Sequence, residues 1–150
     1  MKHDNVILLV EDNPDDEELT RLAFDQSGIA NRLEIVRDGA EALDYLFTSG
    51  TWADREEGNP SLVLLDLKLP KIGGLEVLRR LRAESQTRLI PVVILTSSVE
   101  EQDVIHGYDL GCNSYIRKPV DFTQFAEAVR NLGLYWLVLN EPPLPVREQQ

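Results

Sequence analysis

Runs of aliphatic residues alternate along this 150-residue chain with stretches whose apolar positions recur at helical spacing, and the alternation repeats five times. Residues 6–10, Val-Ile-Leu-Leu-Val, are apolar without interruption, as a short strand buried on both faces must be. A helix follows from Pro14, with Leu19, Leu22 and Ala23 as its inward stripe and Ser27-Gly28 as its end. Residues 33–36 predict a second strand, and Ala42, Leu43, Leu46 and Phe47 mark a second helix over 40–47. Residues 48–60 are polar and contain glycine, with Trp52 as their one large apolar residue; they read as a long surface loop. The third strand, Leu62 to Leu65, ends in a lone aspartate, Asp66, followed by a loop carrying Pro70, Gly73 and Gly74. Leu75, Val77, Leu78 and Leu81 predict a third helix, with Arg79, Arg80 and Arg82 on its wet face. A fourth strand over 90–95, a modest helix over 99–110 closed by Gly111, a fifth strand over 114–117 and a helix from Phe122 to about residue 140 complete the series.

Strands that alternate with helices imply right-handed crossovers, hence a doubly wound five-stranded parallel sheet with helices on both faces, a three-layer (βα)5 sandwich. The length fits one domain spanning 1–150, with a core of about 6–140 and a flexible, Pro-rich tail over 141–150. In such a sheet every strand's carboxyl end opens on the same rim, where α/β proteins place their ligands.

Composition narrows the chemistry. A formal net charge of −11 offers nothing to neutralise a phosphate backbone, so no DNA partner is expected. The single Cys112 forms no internal disulfide and is read as a small core residue. With no membrane-length apolar stretch and no leader-like start, a cytoplasmic location and no membrane association are expected. His3 and His106 have no sequence partners and are read as surface residues.

The residues just past each strand are more telling. They are Glu11 and Asp12 after the first, Asp66 after the third, Thr96 after the fourth and Lys118 after the fifth. Three carboxylates brought to one rim repel one another, and a cation relieves the repulsion. Oxygen donors with no cysteine or histidine nearby suit Mg²⁺, which commonly shares its shell with a phosphate.

Glu11-Asp12, Asp66-x-x-Leu69-Pro70 with Gly73-Gly74, Thr96-Ser97 and Lys118-Pro119, in this order and each at a strand end, resemble the receiver domain of two-component response regulators. The match runs from Val6 to about Val129. The resemblance implies the flavodoxin-like fold. It makes Asp66 the phosphoacceptor, taking a phosphoryl group from a phosphohistidine of a sensor histidine kinase. It also implies that Glu11, Asp12, Asp66 and the Lys68 backbone carbonyl hold Mg²⁺, that Lys118 and Thr96 contact phosphoryl oxygens, and that Pro119 follows a cis peptide bond. Tyr115 matches the family's switch aromatic. Such a protein is a regulator rather than an enzyme, at most catalysing its own phosphorylation and dephosphorylation. The kinase would dock over the rim and first helix, at Asn13, Pro14, Glu17, Glu18 and Arg21.

Two alternatives use similar parts. An aspartyl-nucleophile phosphatase resembles a strand followed by Asp-x-Asp, but Lys68 stands at the second position here. A flavodoxin-like nucleotide or interaction module would want a glycine-rich loop after the first strand, where this chain has Glu11-Asp12-Asn13-Pro14. The 48–60 loop and the Trp136-Leu137 ending followed by proline are similar to those of stand-alone receivers associated with bacteriophytochrome-type kinases. The apolar stretch 132–139, with Tyr135 and Trp136, would leave one helical stripe uncovered, so a phosphorylation-favoured homodimer through the fifth helix is expected.

Overall fold

The structure, a computed structural model, describes residues 6–27, 31–56, 58–96, 104, 106, 108–117 and 122–133. Five strands, β1 (Val6–Val10), β2 (Arg32–Val36), β3 (Leu62–Leu65), β4 (Val92–Thr96) and β5 (Ser114–Arg117), form one sheet in the order β2-β1-β3-β4-β5. Every neighbouring pair is parallel. The order reverses direction between β1 and β3, which opens a crevice at their carboxyl ends.

The aliphatic runs are uniform because both faces of the sheet are covered. Leu8, Val10, Val63, Leu65, Val92 and Ile94 pack toward α2 (Gly39–Leu46) and α3 (Gly74–Ala83). Their neighbours Ile7, Leu9, Leu62, Leu64, Val93 and Leu95 pack on the opposite face, with Ala23 and Phe24 of α1 (Pro14–Ser27) and Ala126 of the final helix (Phe122–Gly133). This is the three-layer parallel sandwich that the strand–helix alternation predicts. Residues 104, 106, 108 and 109 are helical, within the expected 99–110 segment, and His106 is exposed. Residues 134–150, including the stretch expected to extend the final helix and the tail, lie outside the described residues, as does His3.

Two readings change. Leu22 does not face the core: it is 43% exposed, while Thr20, Ala23 and Phe24 are buried and Leu19 packs beside them. Phe24 belongs to the stripe, and at 100° per residue a face made by 19, 20, 23 and 24 leaves 22 on the solvent side. The buried Thr20 hydroxyl is satisfied inside the helix, donating to the Asp16 carbonyl at 2.9 Å.

Second, Arg82 is no wet-face residue. Its Nε and Nη2 donate to the Gly111 carbonyl at 2.9 and 2.7 Å, and its Nη1 to the Arg88 and Ile90 carbonyls at 2.8 and 2.7 Å. Nη2 also reaches Asn113 Oδ1, which accepts the Val92 N–H at 2.8 Å. One guanidinium thus ties the end of α3 to the starts of β4 and β5. Arg79 and Arg80 do lie outside, paired with Glu76 and holding its carboxyl down at about 2, chiefly through Arg79. Removing the Arg82 fork strands several carbonyls at once, so Arg82→Ala should cost about 2 kcal/mol in a urea unfolding curve. An unchanged midpoint would show that water replaces the guanidinium freely. Cys112 is buried beside this clamp, and burial pushes its thiol up, the state of an unreactive core cysteine.

The 48–60 segment is the surface loop expected, and it has contacts of its own. A 3₁₀ turn over Gly50–Trp52 lays the Trp52 ring edge-on to Tyr45, with centroids 4.9 Å apart. Arg55 stacks over Tyr45, its guanidinium 4.1 Å from the ring centre and its Nε donating to the Tyr45 carbonyl at 2.7 Å. The Tyr45 hydroxyl is buried and finds no hydrogen-bond partner among the described residues, and burial raises its pKa. Arg32 approaches it without reaching hydrogen-bond geometry. Tyr45→Phe should therefore leave stability unchanged or raise it by up to about 1 kcal/mol in thermal unfolding. A clear loss would mean that the hydroxyl is bonded.

Candidate functional site

The site grows from the register of the two central strands. Val10 lies opposite Leu65, so the next residues, Glu11 and Asp66, leave the sheet side by side. The Asp66 N–H donates to the Val10 carbonyl at 3.1 Å, and the Glu11 N–H to the Val36 carbonyl at 3.0 Å. Both carboxylates are therefore held by backbone already committed to the sheet. Glu11 is 1% exposed and Asp66 8%, while the neighbouring Asp12 is open to solvent. One carboxylate oxygen from each of Glu11, Asp12 and Asp66 lies within 4.8 Å of the others.

Two nearly buried carboxylates and an exposed third repel one another at this spacing, and they form an all-oxygen donor set. A hard divalent cation with open water positions fits these donors, and a soft metal does not. Asp66 keeps one oxygen occupied by the Lys68 N–H at 3.4 Å. The loop that follows is closed by the Gly74 N–H donating to the Leu67 carbonyl at 2.9 Å. Lys71 in this loop takes a left-handed φ of 69°, uncommon for a residue with a side chain, and its ammonium sits 3.4 Å from Asp38 Oδ2.

Thr96 ends β4 fully buried, and Tyr115 lies half-buried on β5 opposite Ile94. Thr96 and Arg117 are in register, so β5 ends beside β4. Lys118, Pro119 and Ser97 lie outside the described residues. Of the expected site, the structure gathers Glu11, Asp12 and Asp66, sets the Lys68 backbone against Asp66, and puts Thr96 at the end of the adjacent strand.

Some rim chemistry escaped the sequence reading. Glu17 Oε2 accepts from both Arg21 at 3.1 Å and Arg37 at 2.9 Å, joining α1 to the β2–α2 turn. Asp38 caps α2 through the Glu41 N–H at 2.7 Å, and Glu41 accepts the Trp52 indole N–H at 3.2 Å. The Asp-x-x-Glu spacing of a helix start was visible, but its link to Trp52 needs the fold.

With this geometry established, the likeness to known proteins is specific. A family profile described as "Response regulator receiver domain" matches residues 7–130. Response regulator Rcp1 of Synechocystis is 39% identical over 132 residues, covering 88% of each chain. Its Mn(2+)-bound crystal form superposes with a TM-score of 0.84 at 37% identity, covering 93% of this chain and 99% of that one. The phosphorylated cyanobacterial phytochrome response regulator RcpA gives a TM-score of 0.85 at 38% identity, covering 93% of this chain and 99% of RcpA. The bacteriophytochrome response regulator RtBRR is 57% identical, with a TM-score of 0.77 and coverage of 93% and 84%. A receiver sheet with its acidic crevice between β1 and β3, and a family match over most of its length, place this chain in the response regulator receiver family of two-component signalling.

Proposed function

We propose that Asp66 is the phosphoacceptor of this receiver and that Glu11, Asp12, Asp66 and the Lys68 backbone carbonyl hold Mg²⁺. The observation that carries the reading is the meeting of three carboxylates around the one aspartate that ends β3, at the crevice between the central strands. A bound Mg²⁺ would screen the repulsion between an anionic nucleophile and an anionic phosphoryl group. Everything else is asked of the chain's own groups. Asp66, shielded from bulk water, presents a carboxylate oxygen to the phosphorus, and an acyl phosphate forms as the bond to the donor's imidazole nitrogen breaks. The Lys68 N–H steadies the oxygen that does not attack. Thr96 and Lys118 contact the transferred phosphoryl oxygens, Lys118 as a point charge after a cis bond to Pro119. Tyr115, half-buried beside β4, turns inward as Thr96 moves and so reports the modification at the surface.

The donor is a sensor histidine kinase. The names of RcpA and RtBRR favour one of phytochrome type. Docking over the rim and α1 would use Asn13, Pro14, Glu17, Glu18 and Arg21, with Glu17 already engaged to Arg21 and Arg37. The output is altered protein binding rather than DNA binding, with a homodimer through the apolar stretch 132–139, of which residues 134–139 lie outside the described residues. No described helix is long and apolar enough to cross a membrane, in keeping with work in the cytoplasm.

Incubation with a small-molecule phosphodonor tests the reading. The chain should take up one acid-stable, hydroxylamine-labile phosphate with Mg²⁺ and none when the metal is chelated. Continuous release of phosphate without a protein-bound intermediate would instead mark a phosphatase, and inertness under both conditions a nucleotide or interaction module.

A further inference from the structure

Asn13 makes bonds in three directions at the mouth of the crevice. Its carbonyl accepts the Glu17 N–H at 2.9 Å, the first bond of α1. Its side-chain Oδ1 accepts the N–H groups of Asp15 at 2.8 Å and Asp16 at 3.1 Å, the full geometry of a helix N-cap, with Pro14 at the first helical position. Its own N–H points back and donates to Glu11 Oε2 at 3.3 Å. The residue that starts α1 therefore also holds the carboxylate of Glu11.

We infer that Asn13 is a positioning residue for the cation: by capping α1 it fixes the turn that aims its backbone N–H at Glu11 and so keeps the Glu11 carboxylate turned toward Asp12 and Asp66. This rests on the reading of Glu11 as a metal ligand. Glutamate needs such help because its carboxylate swings on one more rotatable bond than that of aspartate, and an unfixed ligand must lose that freedom on binding. Glu11 is 1% exposed, so the orientation is settled by buried neighbours, and the Asn13 N–H is one of them. Partners that orient a metal ligand typically change affinity by about ten- to a hundredfold when removed. Asn13→Ala keeps the N–H but frees the turn that aims it. Asn13→Ser restores an oxygen able to cap α1 without adding charge.

The test is titration of Mg²⁺ alone into the full chain in metal-free buffer, followed by calorimetry, with no phosphodonor or kinase present. Asn13→Ala should weaken Mg²⁺ binding by about tenfold and Asn13→Ser by no more than about twofold. Glu11→Gln sets the scale for loss of the ligand itself. Thr87→Val removes a different buried helix contact, the Thr87 hydroxyl on the Leu81 carbonyl, in the connection between α3 and β4. It should lower the melting temperature without changing Mg²⁺ affinity. Wild-type affinity in Asn13→Ala, with Glu11→Gln impaired, would overturn the positioning role and leave the ligand reading intact. Wild-type affinity in Glu11→Gln would overturn both, as would a wild-type chain that binds no Mg²⁺. Equal weakening in Asn13→Ala and Asn13→Ser would overturn the link through the cap.

Discussion

Asp66→Asn should fold normally and take up no phosphate, from either a small donor or a kinase. The amide is nearly isosteric with the carboxylate, so the Lys68 N–H keeps an oxygen to donate to, and the bond from the Asp66 N–H to Val10 is a backbone matter that the substitution does not touch. What disappears is the nucleophile, and with it the whole reaction; labelling should fall to background. Stability should move the other way in metal-free buffer. Glu11, Asp12 and Asp66 bring oxygens within 4.8 Å of one another, and unit charges near that distance repel by about 1–4 kcal/mol between water-like and protein-surface dielectrics. Removing one charge should raise the unfolding free energy by about 1 kcal/mol without Mg²⁺, and the advantage should vanish as Mg²⁺ is added. Thermal unfolding of both proteins across a Mg²⁺ series reads this directly. A variant less stable than wild type in metal-free buffer would contradict the repulsive cluster.

The second large effect is on the loop that carries Asp66. A Cβ at Gly74 would collide with the Asp66 carbonyl oxygen and come within 2.7 Å of the Leu67 Cα. At Gly39 it would collide with the Ile72 carbonyl oxygen and lie 2.7 Å from the carbonyl carbon. The obstructing atoms are backbone, so no rotamer change relieves them. Gly39 also donates its N–H to the Pro70 carbonyl at 3.4 Å, so the start of α2 and the β3–α3 loop lie backbone against backbone. Gly39→Ala and Gly74→Ala should each cost about 3 kcal/mol or more, beyond the ordinary range for overpacking, in chemical denaturation. Where the chain still folds, Gly74→Ala should slow phosphorylation because the Asp66 carbonyl must shift. A Gly74→Ala protein with wild-type stability and rate would show that this loop yields without strain.

These two effects mark how far the sequence could be read. The strands were legible because a sheet covered on both faces demands unbroken aliphatic runs, and Val6–Val10 and Leu62–Leu65 are such runs. Glu11, Asp12 and Asp66 could be placed on one rim because parallel strands all end on the same side. Periodicity alone misassigned Leu22, since it counted an aliphatic residue into the stripe and passed over Thr20 and Phe24. Arg82 was hidden for a different reason. Nothing local separates a guanidinium that reaches a carbonyl 29 residues away from the exposed Arg79 and Arg80 beside it. Asn13 was read only as a docking residue beside Pro14, because both its cap on α1 and its bond to Glu11 belong to the folded turn. Trp52 could be seen as the sole large apolar residue of a polar loop, and only the fold shows it resting on Tyr45.

Asp66, and no other carboxylate of the rim, is proposed to carry the phosphoryl group. Peptide mapping after phosphodonor treatment with Mg²⁺, with the acyl phosphate trapped by hydride reduction, tests it most directly. The reduced product, homoserine, should appear at position 66 alone. The same product at position 12, or at position 66 with no dependence on Mg²⁺, would contradict it.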